Sequence, residues 1–352
     1  MAVETLEGRS LQIDEHRLHV RVAGESGPLV LLCHGFPESW HSWRHQIQPL
    51  VSEGYRVAIP DMRGYGRSSK PTDVGAYRIT ELVNDCVAVV RALGEQQAVI
   101  VGHDWGAPVA WTAAWTRPDV FRAVAGLSVP FGGRGLMALP GDPFGDVRPS
   151  VAHRKLAGSE RLFYQEFFSI PGVSENDVEQ DLRDWLLGFT YSASAASPVP
   201  AGFDADDLFR LSPERIVDFL RSKLCLPRGK GFFDLLRRPT SLPTWLTADE
   251  FDSWVGELEQ GGMAGPLSYY RAMELNWELL GIHQGKPLTV PSLFIGGDRD
   301  TATIWGQEAV ARAGEVLSDF RGAIIVPDCG HWIQQESPDI VNQELLTFLN
   351  AL

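Results

Sequence analysis

The most restrictive segment of the sequence is the pentad 102–106 (GHDWG). A glycine on either side of the central residue, each two positions away, is typical of a sharp turn from a strand into a helix at the end of a parallel sheet. The apolar run 97–101 precedes the turn as a buried strand would, and run 107–116 follows it as a helix that ends before Pro118. The pattern therefore predicts that Asp104 is a nucleophile raised on this turn. The alternative is a polar residue in an ordinary strand-to-helix loop.

An aspartate at the centre of the turn limits the chemistry. A serine that attacked a saturated carbon would form an ether, which water does not readily cleave, whereas a carboxylate forms an ester that can be hydrolysed. A carboxylate with an ordinary pKa of about 3.9 is also charged at neutral pH and needs no base for the attack. Asp104 therefore favours substrates attacked at saturated carbon, such as epoxides or alkyl halides, over amides and carboxylic esters.

The composition narrows the class of protein and its partners. In 352 residues the hydrophobic fraction is 44% and the formal net charge is −14. Because the chain has no block of basic residues, we expect neither nucleic acid nor an anionic membrane surface as a partner. Segment 1–10 lacks the basic and apolar parts of an export signal, which predicts a cytoplasmic protein. Four cysteines are scattered without metal-ligand or redox spacing, which predicts reduced thiols; they are Cys33, Cys86, Cys225 and Cys329.

The order of the patterns predicts an α/β fold with a mostly parallel, doubly wound sheet. A hairpin is predicted from strands 11–13 and 18–22, and further strands at 28–33, 56–60, 98–101, 123–129, 292–295 and 323–326. Between the predicted strands 123–129 and 292–295 the hydrophobic periodicity is helical, without convincing strand alternation. We therefore expect a helical insertion at 131–285 between two parts of one core, 1–130 and 286–352.

Two helices of the insertion carry start and stop signals. Ser174 and Asp177 resemble a capping box before a helix that Gly188 would end. Thr247 and Glu250 repeat the device before a helix that ends at 261–262.

The sequence supplies a base and an acid in the order that a nucleophile turn of this kind predicts. Asp300 follows the predicted strand 292–295, and His331 follows the predicted strand 323–326. We expect His331 to deprotonate a water that attacks the Asp104 ester, and Asp300 to orient its ring and stabilise its charge. Asp298 is the rival acid, although a bond to the turn backbone is the better interpretation of that residue.

Two backbone donors are predicted for the oxyanion of the ester step. The run 34–37 (HGFP) directly follows a predicted strand and offers the N–H of Phe36, and Trp105 offers a second N–H directly after the nucleophile. By itself the run 34–37 is also compatible with a simple turn.

Four stretches carry a resemblance to a known family. They are 34–40 (HGFPESW), 61–69 (DMRGYGRSS), 102–107 (GHDWGA) and 328–332 (DCGHW). On these stretches the chain closely resembles the epoxide hydrolases of the α/β-hydrolase fold, especially soluble bacterial ones of the B type, over nearly its full length. The resemblance implies a helical cap, no cofactor or metal, and two cap tyrosines that hold the epoxide oxygen and protonate it. It also suggests a homodimer.

The tyrosines at the matching positions are Tyr164 and Tyr270. Tyr164 lies among Phe163, Phe167 and Phe168, so an aromatic packing stripe is the alternative. Tyr269 and Tyr270 are neighbours, and neighbours on a helix point about 100° apart, so only one should reach the oxygen.

These residues predict an epoxide hydrolase that forms a vicinal diol through a hydroxyalkyl ester of Asp104. A haloalkane or haloacid dehalogenase is the alternative, since it would share the aspartate turn. The tyrosine pair distinguishes the two, because an alkoxide leaving group takes a proton and a halide does not. A ligand-binding receptor on the same fold is a third hypothesis, which the full catalytic set disfavours.

Overall fold

The computed structural model describes residues 6–13 and 15–352. Within them one eight-stranded sheet has the order β1-β2-β4-β3-β5-β6-β9-β10, and a separate two-stranded sheet pairs β7 with β8. The strands are β1 Glu7–Ile13, β2 His16–Ala23, β3 Leu29–Cys33, β4 Arg56–Pro60, β5 Ala98–His103, β6 Phe121–Leu127, β7 Arg161–Phe163, β8 Cys225–Pro227, β9 Leu288–Gly297 and β10 Leu317–Val326. The β1–β2, β2–β4 and β7–β8 pairs are antiparallel, and the remaining five pairs of the eight-stranded sheet are parallel.

Helices connect these strands. The described α-helices are α1 Arg44–Ser52, α2 Ile79–Ala92, α3 Gly106–Thr116, α4 Pro149–Ala157, α5 Tyr164–Phe168, α6 Val173–Glu179, α7 Leu182–Ala193, α8 Pro213–Leu224, α9 Ala248–Gly261, α10 Ala264–Arg271, α11 Met273–Leu279, α12 Thr301–Trp305, α13 Gln307–Ala311, α14 Ile333–Glu336 and α15 Pro338–Asn350. No helix in the described ranges is both long and apolar enough to cross a membrane.

The central strands β3, β5 and β6 are buried on both faces of the sheet, which explains their continuous apolar sequences. Val99 and Val101 of β5 pack in a cluster with residues of α1 and α15, while Ala98 and Ile100 pack in a second cluster with residues of α2 and α3. The predicted α/β fold with a mostly parallel, doubly wound sheet is confirmed. Predicted strand ends were off by up to six residues, and position 14 of the predicted hairpin lies outside the described residues.

The elements between β6 and β9 are mainly helical, with two corrections. β7 and β8 pair over three residues each, which is too short for an alternating pattern to appear in the sequence. The predicted helix around 178–188 is two helices, α6 and α7. The predicted capping box of Ser174 and Asp177 is wrong, because α6 begins after Gly172, whose N–H donates to the Glu175 carboxylate at 2.7 Å.

Gly188 does not end α7; it is buried within it. A Cβ at this position would lie 3.0 Å from the Leu236 Cβ, so close packing accounts for this glycine. The Thr247–Glu250 capping box and the end of α9 before Gly262 are confirmed.

The strand order brings distant parts of the chain to one edge of the sheet. β5 lies between β3 and β6, and β6 pairs with β9, which pairs with β10. Because these strands are parallel, the loops that follow them converge at their carboxyl ends. This edge holds Asp104, Phe36, Asp300 and His331.

Candidate active site

The turn between β5 and α3 holds Asp104 in a conformation that side chains rarely adopt, with φ 49°. The two flanking glycines make room for it. A Cβ on Gly102 would overlap the Gly106 carbonyl, and a Cβ on Gly106 would overlap the Cys33 carbonyl of the neighbouring strand. The backbone strain therefore lies at the residue whose side chain projects from the turn, as expected for a functional turn of this kind.

The Asp104 carboxylate has a different partner at each oxygen. Its Oδ1 accepts a hydrogen bond of 2.6 Å from the Phe36 backbone N–H, and its Oδ2 lies 3.4 Å from His331 Nε2. A Cβ on Gly35 would collide with the Asp104 side chain, so this glycine allows the loop after β3 to approach. Within the described residues Trp105 N–H makes no hydrogen bond to the carboxylate, and its part in an oxyanion hole stays a prediction.

Asp300 and His331 meet on the far side of the imidazole. Asp300 Oδ1 lies 3.0 Å from His331 Nδ1. Burial would raise the pKa of Asp300, but the charge of His331 and the hydrogen bonds that Asp300 accepts lower it below its usual range. Burial opposes the charged form of His331, yet the charge of Asp300 and the contacts with Asp104 hold its pKa well above the ordinary value. The resting site therefore favours a protonated His331 between two carboxylates.

Asp300 is fixed by more donors than the sequence suggested. It is the N-cap residue of α12 and accepts from the N–H groups of Ala302 and Thr303 at 3.0 and 3.2 Å. The Thr303 hydroxyl, at 2.8 Å, and the Ser128 hydroxyl, at 2.6 Å, both bond Oδ2. The two backbone hydrogen bonds could have been predicted from the sequence, because an aspartate directly before a helix commonly accepts from the first N–H groups of that helix.

Ser128 is a site residue that the sequence analysis missed. It directly follows β6 with φ 70°, and its hydroxyl lies 2.6 Å from Asp300 Oδ2 and 2.9 Å from His331 Nδ1. The sequence analysis had included it in the strand 123–129. Its only sequence signal is its place at the carboxyl end of a strand, which serine alone does not make specific.

A second missed group supports the His331 loop. His103 Nε2 lies 2.7 Å from the His331 carbonyl oxygen, and its Nδ1 lies 2.7 Å from Glu38 Oε2. Gly35 N–H and Gln334 Nε2 also donate to Glu38, whose pKa is lowered, against the effect of burial, by the charge of His103. Since a carbonyl oxygen only accepts, His103 Nε2 donates to the His331 carbonyl. This buried pair fixes the backbone of His331.

Tyr164 and Tyr270 lie on the other side of the site. They line a cavity of about 180 Å³ with Asp104, His331 and Asp300, and their ring centroids are 6.1 Å apart. Burial, together with the negative charge of Asp104, raises the pKa of Tyr164, while burial, the neighbouring Tyr164 and Asp104 raise the pKa of Tyr270 well above 10. Both phenols therefore keep their protons and can donate hydrogen bonds into the cavity.

The structure separates the two neighbouring tyrosines of α10. Tyr269 does not line the cavity; its hydroxyl donates to the Arg63 carbonyl oxygen at 2.9 Å. Tyr270 packs edge-on against Phe36 and Trp105, at centroid distances of 5.2 and 5.1 Å. Of the two, it is Tyr270 that faces the cavity.

The rival acid Asp298 has a backbone partner. The Asp298 carboxylate accepts from Cys329 N–H at 3.4 Å, in keeping with a bond to the turn backbone. In residues 6–13 and 15–352 no group of three or more His, Cys, Asp or Glu side chains is arranged to hold a metal ion.

Comparison with known proteins agrees with this geometry. The family model described as alpha/beta hydrolase fold matches residues 28–338. Over 333 residues the chain is 50% identical to Epoxide hydrolase B of Mycobacterium tuberculosis, covering 93% of each chain. It is 38% identical to Epoxide hydrolase A of the same organism over 341 residues, or 96% of this chain and 95% of that one.

Solved structures give the same result. An epoxide hydrolase from an endophytic Streptomyces matches with a TM-score of 0.85 and 40% identity, over 98% of this chain and 95% of that chain. Epoxide Hydrolase A from Mycobacterium thermoresistibile matches with a TM-score of 0.84 and 38% identity, over 98% of both chains.

Proposed function

The chain belongs to the epoxide hydrolases of the α/β-hydrolase fold, and we propose from its own residues how it adds water to an epoxide to form a vicinal diol. One observation carries the proposal: a carboxylate on the nucleophile turn, a histidine paired with a buried acid, and two protonated phenols line the same cavity. Attack, protonation and ester hydrolysis each have a group within this cavity.

In the first step the epoxide oxygen accepts hydrogen bonds from Tyr164 and Tyr270. Asp104 Oδ2 attacks a ring carbon, because Oδ1 is held by the Phe36 N–H. The carbon–oxygen bond of the ring breaks, its electron pair goes to oxygen, and a tyrosine supplies the proton. The result is a hydroxyalkyl ester of Asp104.

In the second step the loss of the Asp104 charge lowers the pKa of His331. Two of the contacts that raise the pKa of His331, the hydrogen bond to Asp104 and the charge of Asp104, are lost in the ester. His331 therefore releases its proton, which restores the phenol through the cavity, and its Nε2 becomes a base.

Neutral His331 then takes a proton from a water that attacks the ester carbonyl carbon. The oxyanion develops at Oδ1, which already faces the Phe36 N–H, and Asp300 stabilises the new imidazolium. The diol oxygen leaves with the proton from His331, which leaves Asp104 as a carboxylic acid. The acid then gives its proton to His331, and this restores the carboxylate and the imidazolium of the resting site.

A trapping experiment tests the two steps. The His331→Gln variant, incubated with styrene oxide, should gain the mass of one substrate at Asp104, because attack proceeds and hydrolysis stalls. The Asp104→Ala variant is the control and should gain no mass. An unmodified His331→Gln protein that still turns over would contradict the role of His331.

The source of the added oxygen provides a second test. In a single turnover with enzyme in excess in heavy-oxygen water, the label should enter Asp104 and not the diol. Label that appears directly in the diol would exclude the ester intermediate.

The dehalogenase alternative is not favoured. The relatives and solved structures above are named epoxide hydrolases, and two phenols with raised pKa values suit an oxygen that must be protonated. Halide release from chloroalkanes that is faster than diol formation from styrene oxide would reverse this choice.

Three expectations remain proposals. Residues 131–285 would act as a cap over a core formed by 1–130 and 286–352, the protein would be a homodimer, and it would reside in the cytoplasm. Sedimentation equilibrium of the purified chain and fractionation of the source cells test the last two.

A further inference from the structure

Glu336, the last residue of α14, holds the His331 loop, which is residues 327–332 between β10 and α14. Its Oε1 accepts a hydrogen bond from the Trp332 N–H at 3.0 Å, and its Oε2 accepts one from the Gly330 N–H at 3.2 Å. Because an ionised carboxylate only accepts, both of its oxygens suit these donors. One side chain thus holds the backbone directly before and directly after the proposed base.

The same carboxylate also bonds to the inserted helices. Its Oε2 accepts from the Ala195 N–H at 3.0 Å, just beyond the end of α7. In the opposite direction, the His331 N–H donates to the Ala193 carbonyl oxygen, the last of α7, at 3.0 Å. The three consecutive N–H groups at 330–332 are therefore bonded either to Glu336 or to the end of α7.

Gly330 allows this close approach between the loop and the inserted helices. A Cβ on Gly330 would overlap the Ala195 nitrogen and would lie 2.7 Å from Glu336 Oε1. Even a methyl group here would therefore separate the loop from its two partners. Since α7 supplies Phe189 to the lining of the active-site cavity, these contacts join the proposed base to the opposite wall.

The peptide unit that follows His331 is held at both of its polar groups. Its N–H donates to Glu336, and its carbonyl oxygen accepts from His103 Nε2 at 2.7 Å. A peptide unit is planar, so two bonds on opposite edges leave it little freedom to rotate. The backbone thereby sets the direction of the His331 side chain, whose Nε2 lies 3.4 Å from Asp104 Oδ2.

Resting on the proposed function, we propose that Glu336 is a positioning residue for ester hydrolysis, because it holds the His331 loop and the end of α7 in the one arrangement that lets His331 Nε2 direct the attacking water. Ester formation depends on Asp104 with Tyr164 and Tyr270 as donors. The hydrogen bonds of Glu336 in the described residues go to none of these three side chains. Loss of Glu336 should therefore slow the second step more than the first.

The competing interpretation is that Glu336 only satisfies the backbone donors of a buried turn. In that role Glu336 would stabilise the folded protein, and its loss would lower the rates of both steps equally. The ratio of the two rates therefore distinguishes a positioning residue from a structural one.

The test measures the two steps separately in Glu336→Gln. The amide keeps the shape of the side chain but turns one acceptor oxygen into a donor that faces a backbone N–H. With styrene oxide, stopped-flow tryptophan fluorescence gives the rate of ester formation, and intact mass after acid quenching gives the rate of ester loss.

Ester hydrolysis in Glu336→Gln should slow roughly tenfold to hundredfold, the size expected for lost hydrogen bonds to a charged group, while ester formation stays within about threefold of wild type. Because the ester accumulates, kcat and KM should fall together, whereas a smaller folded fraction would lower kcat and leave KM unchanged.

Asp142→Asn is the matched control. The Asp142 carboxylate also accepts from two backbone N–H groups, those of Asp146 and Val147, at 2.7 and 3.1 Å, and it does not line the active-site cavity. This variant should lower the melting temperature and keep the ratio of the two rates within about twofold of wild type, as expected for an independent site.

Gly330→Ala disturbs the same contacts with the Glu336 carboxylate intact. Its methyl group would separate the His331 loop from Ala195, so ester hydrolysis should again slow more than ester formation. This variant decides the question if Glu336→Gln does not fold.

The outcomes separate this proposal from the function on which it rests. An unchanged rate of ester hydrolysis in Glu336→Gln, or an equal fall of both rates, overturns the positioning role and leaves the epoxide hydrolase intact. If the wild type forms no ester from an epoxide, the proposed function itself has failed. Amide hydrogen exchange in the wild type tests the contacts without any variant: the amides of 195, 330 and 332 should be protected, and exchange as fast as in exposed loops overturns the proposal.

Discussion

The two sides of the cavity are built by different means. On the sheet side, Asp300 accepts hydrogen bonds from five donors, and His331 is tied through its ring and its carbonyl. On the side of the inserted helices, the Tyr164 hydroxyl has one described partner, Gln165 Nε2 at 3.0 Å, and is otherwise placed by aromatic packing. The reacting groups are thus fixed by hydrogen bonds, and the substrate-facing wall by packing, which is easier to remodel without losing the chemistry.

The largest effect should come from breaking the sheet side at Asp300. In Asp300→Asn the amide would reverse the donor pattern at His331 Nδ1 and remove the stabilising charge, so kcat should fall on the order of 10³-fold to 10⁴-fold. Stopped-flow tryptophan fluorescence and intact mass should show the ester accumulating. A normal rate of ester hydrolysis would contradict the role of Asp300.

The second-largest loss of activity should come from Tyr270, which lies on the inserted helices. Tyr270→Phe should lower kcat/KM by about 10²-fold, the low end for loss of a general acid, because one donor to the epoxide oxygen is removed. Tyr269→Phe is the matched control, since Tyr269 faces Arg63. It should cost about 1–3 kcal/mol of unfolding free energy, by leaving a buried carbonyl unpaired, with little change in kcat/KM. If kcat/KM falls in Tyr269→Phe and not in Tyr270→Phe, then Tyr269 and not Tyr270 donates to the epoxide oxygen.

The pH dependence of kcat should also report on the sheet side of the cavity, because the charges there set the protonation of His331. Asp104, Asp300 and the His103 ring, whose centroid is 4.9 Å away, surround it. The resting pKa of His331 is raised, so the imidazolium persists at neutral pH and is lost as pH rises through that value. In the ester the pKa is lower, and kcat should fall about tenfold per pH unit only below that lower value.

The measurement is a kcat profile against pH beside an NMR titration of His331 in the resting protein. The acid limb of kcat should lie at lower pH than the NMR midpoint. Coincident midpoints would show that formation of the Asp104 ester does not change the pKa of His331.

The smallest effect should come from Ser128. Ser128→Ala removes one of the five donors to Asp300 and should lower kcat by about tenfold, the size expected for one hydrogen bond to a charged group. It should also move the acid limb of kcat, since Ser128 contacts His331 Nδ1. Thr303→Ser, which keeps a hydroxyl at the same carboxylate, is the control. A lower melting temperature with an unmoved pH profile would limit Ser128 to a structural role.

The sequence predicted site residues where a local motif agreed with the order of nucleophile, acid and histidine along the chain. Asp104, Asp300 and His331 were predictable because each follows a strand, and parallel strands end at one edge of a sheet. Ser128 and the Glu38–His103 pair were not, because their meaning depends on contacts between residues far apart in the chain. Gly188 was misread for a related reason: packing against Leu236 and a helix end require the same residue type.

The bond between Gln334 and Glu38 joins positions 296 residues apart and belongs to the network that holds the His331 loop. A ribosome must therefore release nearly the whole polypeptide before Asp104 acquires the group that regenerates it.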